Sequence, residues 1–246
     1  MGEFDGQVAL VTGAAQGLGR AIATLLAQRG ATVYLADLNG PGVEAAAAAL
    51  RAQGLTAQAS CTDMAEEPAV LALRDRIAAE AGRLDALINN AGGWRYETIR
   101  EVTAANWDWT FRVNLSSAFI ASRACMDMMI ARRYGRIVNI ASVDAYQPKT
   151  TLPAYAAAKA ALVSLTRTFA EELAPHEVLV NAVSPGAMAT ETAKSQAWLA
   201  QRILTIPVRR AAEPEEIAEL VAFLASSRNR YVVGESVLAS GGALMA

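Results

Sequence analysis

Histidine and cysteine are nearly absent: one histidine, His176, and two cysteines, Cys61 and Cys125, in 246 residues. Two cysteines make no disulfide framework, and with one histidine they offer no zinc-ligand spacing, so no metal is expected. They read as reduced thiols of the core, and His176, after Pro175, as a turn residue. An excess of one charge is missing too. Lysine plus arginine number 22 against 24 aspartate plus glutamate, a net charge of -2. That balance argues against nucleic acid and against an anionic membrane surface as partners. No run approaches the ~20 apolar residues of a membrane span, and Ala45 to Ala49 is bounded by Glu44 and Arg51. Met1 to Asp5 has no basic flank and no apolar signal run. The expectation is a cytoplasmic protein acting on a small molecule. A Pro/Gly/Ser-rich seam is absent as well, so residues 1–246 read as one domain.

What is present is alternation. Short apolar runs at 7–12, 31–37, 55–60, 84–89, 136–141, 177–183 and 235–239 predict strands. Helical patterns fall between them at 17–29, 42–53, 66–81, 104–132, 153–173 and 214–224. Trp107, Phe111 and Leu115 form one stripe of the long helix. Continuously apolar strands separated by helices predict a parallel sheet covered on both faces. The fold class is therefore α/β: a single doubly wound Rossmann domain with a mostly seven-stranded parallel sheet.

The first strand runs into Thr12-Gly13-Ala14-Ala15-Gln16-Gly17-Leu18-Gly19, and a helix follows. Glycines permit a tight turn and close backbone approach to a pyrophosphate, which the helix N-terminus attracts. Gly13, Gln16, Gly17, Leu18 and Gly19 are the candidate phosphate contacts. Asp37 ends the second strand, where a carboxylate binds ribose hydroxyls and repels a 2′-phosphate. Neither Gln16 nor Leu38 supplies a cation for such a phosphate, so NAD is favoured over NADP. Asp63, after the third strand, is a candidate for the adenine or a turn residue.

Tyr155 and Lys159 stand four residues apart, on one face of one predicted helix. A cation beside a tyrosine favours the phenolate, and such a tyrosine exchanges a proton with an alcohol or a carbonyl near neutral pH.

These segments, with Asn89-Asn90-Ala91-Gly92, Asn114, Ser142 and Pro185-Gly186-Ala187-Met188-Ala189-Thr190, make the sequence resemble the short-chain dehydrogenase/reductase family over nearly its whole length. The resemblance implies Tyr155 as the catalytic acid/base and Lys159 as the residue that holds the nicotinamide ribose and lowers the tyrosine pKa. It implies that Ser142 hydrogen-bonds the substrate oxygen and that Asn114 holds a relay water. It implies that Asn89 and Asn90 shape the cofactor floor and that Pro185, Gly186 and Thr190 border the nicotinamide, with Gly92, Tyr155 and Met188 as further cofactor contacts. A homotetramer is expected through the helices around Trp107–Met129 and Pro153–Phe169. Three positions depart from the family pattern: Glu177 in place of a glycine, Val233 before Gly234, and Ser240 before Gly241.

Trp94, Asp144, Gln147, Met188 and Trp198 are candidate substrate contacts together with Ser142, and 190–206 reads as a mobile lid. The expected activity is NAD-dependent oxidation of a secondary alcohol or reduction of a ketone. The alternative is a 3-oxoacyl thioester reductase, usually NADPH-linked in the family. More remote is a non-catalytic dinucleotide-binding sensor.

Overall fold

The computed structural model describes residues 2–245. Seven parallel strands form one sheet in the order β3-β2-β1-β4-β5-β6-β7. They are β1 (Val8–Thr12), β2 (Thr32–Asp37), β3 (Ala57–Cys61), β4 (Ala86–Asn89), β5 (Gly135–Ile140), β6 (Val178–Pro185) and β7 (Ser236–Ala239). The order reverses between β1 and β4, which are neighbours in the sheet. At such a reversal the connections leave in opposite directions, and a crevice opens at the carboxyl ends of the strands.

Burial on both faces follows from the alternation of side chains along each strand. Ala9 and Val11 of β1 enter a core with Ile22 and Leu26 of α1 (Gly17–Gln28), Val43 of α2 (Gly40–Arg51) and Val221 of α9 (Pro214–Ala225). Val8 and Leu10 enter the opposite core, which is covered by α3 (Glu67–Ala81), α5 (Ser117–Arg132) and α6 (Pro153–Leu173) through Leu73, Ile77, Cys125, Met129 and Phe169. Each fully buried Leu or Ile contributes about 1.5–3 kcal/mol relative to exposure.

Local chemistry sets the helix starts. Asn39 accepts a hydrogen bond from Gly42 N ahead of Pro41 in α2. Pro153 occupies the first position of α6, where its missing N–H costs nothing. Glu213 and Glu216 form a capping box on α9.

The structure differs from the sequence expectations in four places. The expected helix 104–132 is two helices, α4 (Ala104–Phe111) and α5, joined by a π-helical turn at Arg112–Ser116. Trp107 and Phe111 stack, with ring centroids 4.9 Å apart. The extra residue of the π turn shifts the helical register after Phe111, and Asn114 within the turn is buried. Strand β3 begins at Ala57, because Leu55 belongs to the turn that closes α2 through Leu55 N to Leu50 O. Cys61 is exposed, not in the core, because it ends β3 at the open edge strand; Cys125 is buried. The 190–206 stretch holds two short helices, α7 (Glu191–Lys194) and α8 (Ala197–Ile203). No helix among the described residues is long and apolar enough to cross a membrane.

Candidate active site

The glycine turn lies at the β1/β4 crevice. Gly13 has φ +63°, and a Cβ on it would fall 2.9 Å from Ala91 Cα. A Cβ on Gly19 would fall 2.1 Å from Gly13 O, so the first turn of α1 packs directly on the loop before it. Gly17 has φ +54° and only Thr190 Cγ2 within 4 Å of its Cβ position, at 3.7 Å. Gln16 precedes α1 in extended backbone with no side-chain cap. The first N–H groups of α1 are thus left for an outside acceptor, which suits an anionic diphosphate. Leu18 turns away from the crevice into the core.

Asn90 braces this turn. Its Nδ2 donates to Thr12 O at 2.9 Å and to Gly13 O at 3.0 Å. Thr12 Oγ1 accepts from Asn90 N and Ala91 N at 3.0 and 2.9 Å. Thr12 is a positioning residue that its sequence position alone did not reveal, since threonine at a strand end is commonplace.

Asp37 ends β2 as expected. Its Oδ2 accepts from Ala15 N at 3.0 Å and its Oδ1 from Asn39 N at 2.9 Å. Each oxygen keeps further lone-pair capacity, enough to accept ribose hydroxyls. The neighbouring Leu38 is exposed. Asp63 makes a turn contact: its Oδ1 accepts from Ala65 N at 2.9 Å, and its Oδ2 lies 3.9 Å from Arg112.

Ser142 follows β5 and opens a short 3-10 turn at Val143–Ala145; its Oγ accepts from Asp144 N at 3.1 Å. Tyr155 and Lys159 stand in the first turns of α6, which packs against this turn. Lys159 is buried, donates to Ile140 O at 2.7 Å, and its Nζ lies 5.6 Å from the Tyr155 ring centre. Burial pulls the Lys159 pKa down from 10.5 to about 8. Burial also pushes the Tyr155 pKa above the ordinary tyrosine range; Ser142 lowers it by hydrogen bonding, and the charge of Asp144 raises it further. Burial penalises the charged form of each group, the phenolate of Tyr155 and the ammonium of Lys159.

Asn114 is carried inward by the π turn. Its Nδ2 donates to Gly93 O at 2.7 Å and to Thr110 O at 2.9 Å, and its Oδ1 accepts from Gly93 N at 3.3 Å. A Cβ on Gly92 would lie 2.5 Å from Asn114 Oδ1 and 3.7 Å from Lys159 Nζ. Gly92 therefore leaves the small gap at which Asn114 and Lys159 converge.

The remaining candidates divide. Trp94 sets its ring against Tyr155, centroids 6.1 Å apart at 66°, and stays half-exposed. Gln147 Nε2 donates to Asp144 Oδ1 at 3.5 Å. Pro185 ends β6, and Gly186 N donates to Ala239 O, with a Cβ position 3.0 Å from Ser240 Cα. Met188 packs towards the core and bridges to Ala212. Thr190 Oγ1 accepts from Ala193 N, starting α7. Trp198 stays on the outer side of α8, bonded to Gln196, while Leu199 seals the segment. Ion pairs Arg20–Glu191 at 2.7 Å and Lys194–Glu213 at 2.9 Å tie this segment to α1 and to the start of α9.

The profile described as short chain dehydrogenase matches residues 7–199. The chain is 38% identical over 244 residues to the 3-oxoacyl-[acyl-carrier-protein] reductase FabG of Escherichia coli (strain K12), covering 98% of this chain and 99% of the relative. It is 35% identical over 255 residues to the 2,3-dihydro-2,3-dihydroxybenzoate dehydrogenase of Bacillus subtilis (strain 168), covering 98% and 97%. A crystal structure of a short-chain type dehydrogenase/reductase from Mycobacterium marinum superposes with a TM-score of 0.94 at 29% identity, over 99% of this chain and 97% of that one.

Proposed function

The chain belongs to the short-chain dehydrogenase family, and on that footing we propose that it interconverts a secondary alcohol and a ketone with NAD, in preference to NADP. The observation that carries this reading is the meeting of Ser142, Tyr155 and Lys159 between the end of β5 and the start of α6, beside the glycine turn. Gly13, Gly17 and Gly19 with the start of α1 would hold the diphosphate. Asp37 would hold the adenosine ribose, and its charge disfavours a 2′-phosphate.

Bound nicotinamide supplies the acceptor for the hydride, so alcohol and NAD⁺ give ketone, NADH and one proton. The protein manages that proton. Tyr155 takes it from the carbinol at the phenol oxygen in oxidation and returns it in reduction. Ser142 donates a hydrogen bond to the same substrate oxygen and stabilises its developing charge. Lys159 would stabilise the phenolate electrostatically, and Asn114, which approaches Lys159 beside Gly92, would hold a relay water.

Tyr155→Phe is expected to lower turnover by about 10²–10⁴-fold and to leave NADH binding, read by fluorescence, unchanged. Turnover close to wild type refutes the mechanism. Asp37→Ala is expected to raise the NADP/NAD ratio of initial rates; a wild-type preference for NADP overturns the reading of Asp37.

A second reading, a 3-oxoacyl thioester reductase, is supported by the identity to the Escherichia coli relative. Efficient NADPH-dependent reduction of acetoacetyl-CoA with no oxidation of simple secondary alcohols would favour it. NADH binding without turnover on either class would favour a sensor. A cytoplasmic homotetramer remains our proposal, supported by exposed Phe119 on α5; sedimentation at monomer mass refutes the assembly.

A further inference from the structure

Asp144 N donates to Ser142 Oγ at 3.1 Å, which sets this carboxylate beside the site, and among the described residues its charge bears on Tyr155; its own bonding is incomplete. Its side chain is 13% exposed. Its Oδ1 has two distant partners, Gln147 Nε2 at 3.5 Å and Lys149 Nζ at 4.0 Å. Its Oδ2 has no hydrogen-bond partner among the described residues. A carboxylate two residues from the serine that binds the reacting oxygen, and partly desolvated, favours a ligand that brings a hydrogen-bond donor. Lys149 lies near as a countercharge, at 4.0 Å, so a neutral donor suits Asp144 better than a second cation. Trp94, too, borders Tyr155: its half-exposed indole meets the phenol ring at 66°, centroids 6.1 Å apart. An aromatic face suits an apolar C–H surface.

The geometry points to a polyhydroxylated substrate, a cyclic vicinal diol or a sugar, whose second hydroxyl donates to Asp144 Oδ2 while its C–H face rests on Trp94. This rests on the secondary-alcohol dehydrogenase reading above and narrows its substrate class. A 3-oxoacyl thioester brings no hydroxyl there: beyond the reacting oxygen its nearest polar group is the thioester carbonyl, an acceptor, which a carboxylate does not bind. Asp144 thereby becomes the specificity-determining residue, and the Tyr155–Lys159 pair stays indifferent to the choice.

Matched pairs differing by one hydroxyl test it: cis-1,2-cyclohexanediol against cyclohexanol, and cis-1,2-cyclopentanediol against cyclopentanol. Hydrogen bonds to a charged partner predict a diol preference in kcat/KM of about 10- to 100-fold. Asp144→Ala should collapse that ratio towards 1, with Asp144→Asn between. Calorimetry of the same alcohols with the enzyme–NADH complex should show the same contrast in Kd, independently of turnover. Equal use of both members of each pair by the wild type, or equal losses on both in Asp144→Ala, overturns the assignment while leaving the dehydrogenase reading intact. No oxidation of any alcohol with NAD⁺ or NADP⁺, and no reduction of the corresponding ketones, overturns the dehydrogenase reading and this assignment with it.

Discussion

Replacing Lys159 with methionine should remove activity and make the cofactor-free protein more stable. Lys159 is buried, and its pKa stands at about 8 against 10.5 in the unfolded chain. At about 1.4 kcal/mol per tenfold change in proton affinity, carrying the ammonium into this site costs about 3 kcal/mol at pH 7. The sign follows from proton counts. Between pH 8 and 10.5 the unfolded chain binds more protons at this residue than the folded one, so stability rises with pH across that window. Below pH 8 the whole penalty is present; above 10.5 it is gone. Methionine has a similar length and no charge, but it leaves Ile140 O without the 2.7 Å donor, a loss of about 1 kcal/mol. The net expectation is a gain of about 2 kcal/mol at pH 7. The assay is equilibrium urea unfolding of wild type and Lys159→Met without cofactor, at pH 7 and pH 10. The gain should shrink to near zero or reverse at pH 10, where the wild type has shed most of its penalty. A variant less stable than wild type at pH 7, or an equal gain at both pH values, refutes the reasoning.

Gly19→Ala places a Cβ 2.1 Å from Gly13 O and 2.5 Å from Asn90 Nδ2, so the glycine turn must move. It should cost about 1–3 kcal/mol in urea unfolding and weaken NADH binding by at least about tenfold, an estimate of the same rank as one lost hydrogen bond; unchanged affinity would show that the turn is not the diphosphate site. Glu177 adopts φ +63° where the family pattern has glycine, with its side chain exposed and 3.9 Å from Arg133. Glu177→Gly relieves that left-handed strain and should add about 0.5–1 kcal/mol, after the entropy of glycine is deducted. A loss of stability would show that the contact with Arg133 matters more than the backbone.

Much of the fold was legible because its determinants are local. Seven apolar runs mark the strands, Gly30 and Gly54 stop helices, and Pro153 and Pro214 mark helix starts; the start of α2 at Gly40, capped by Asn39, falls two residues before the expected one. The errors fall where non-local contacts decide. A helical pattern over 104–132 gives no sign of one extra residue at 112–116, because the π turn is held by tertiary bonds from Asn114 to the Gly93 backbone. Cys61 looked like a core thiol because cysteine usually is one; its exposure depends on β3 lying at the sheet edge.

The sequence by itself determined the family and which candidate site residues stand together within one element, because spacing within one turn or one helix fixes which side chains share a face. Tyr155 and Lys159 need only α6 to be neighbours, and Gly13, Gly17 and Gly19 need only the strand-to-helix turn. The tertiary structure decided what surrounds them. It set Asn114 beside Gly92 and gave Asp37 its two backbone donors. It brought Asp144 within electrostatic reach of Tyr155, and it buried Lys159 deeply enough to pull its pKa towards neutrality. Solvation and through-space charge depend on every element packed around a group, and no residue interval in the chain encodes them.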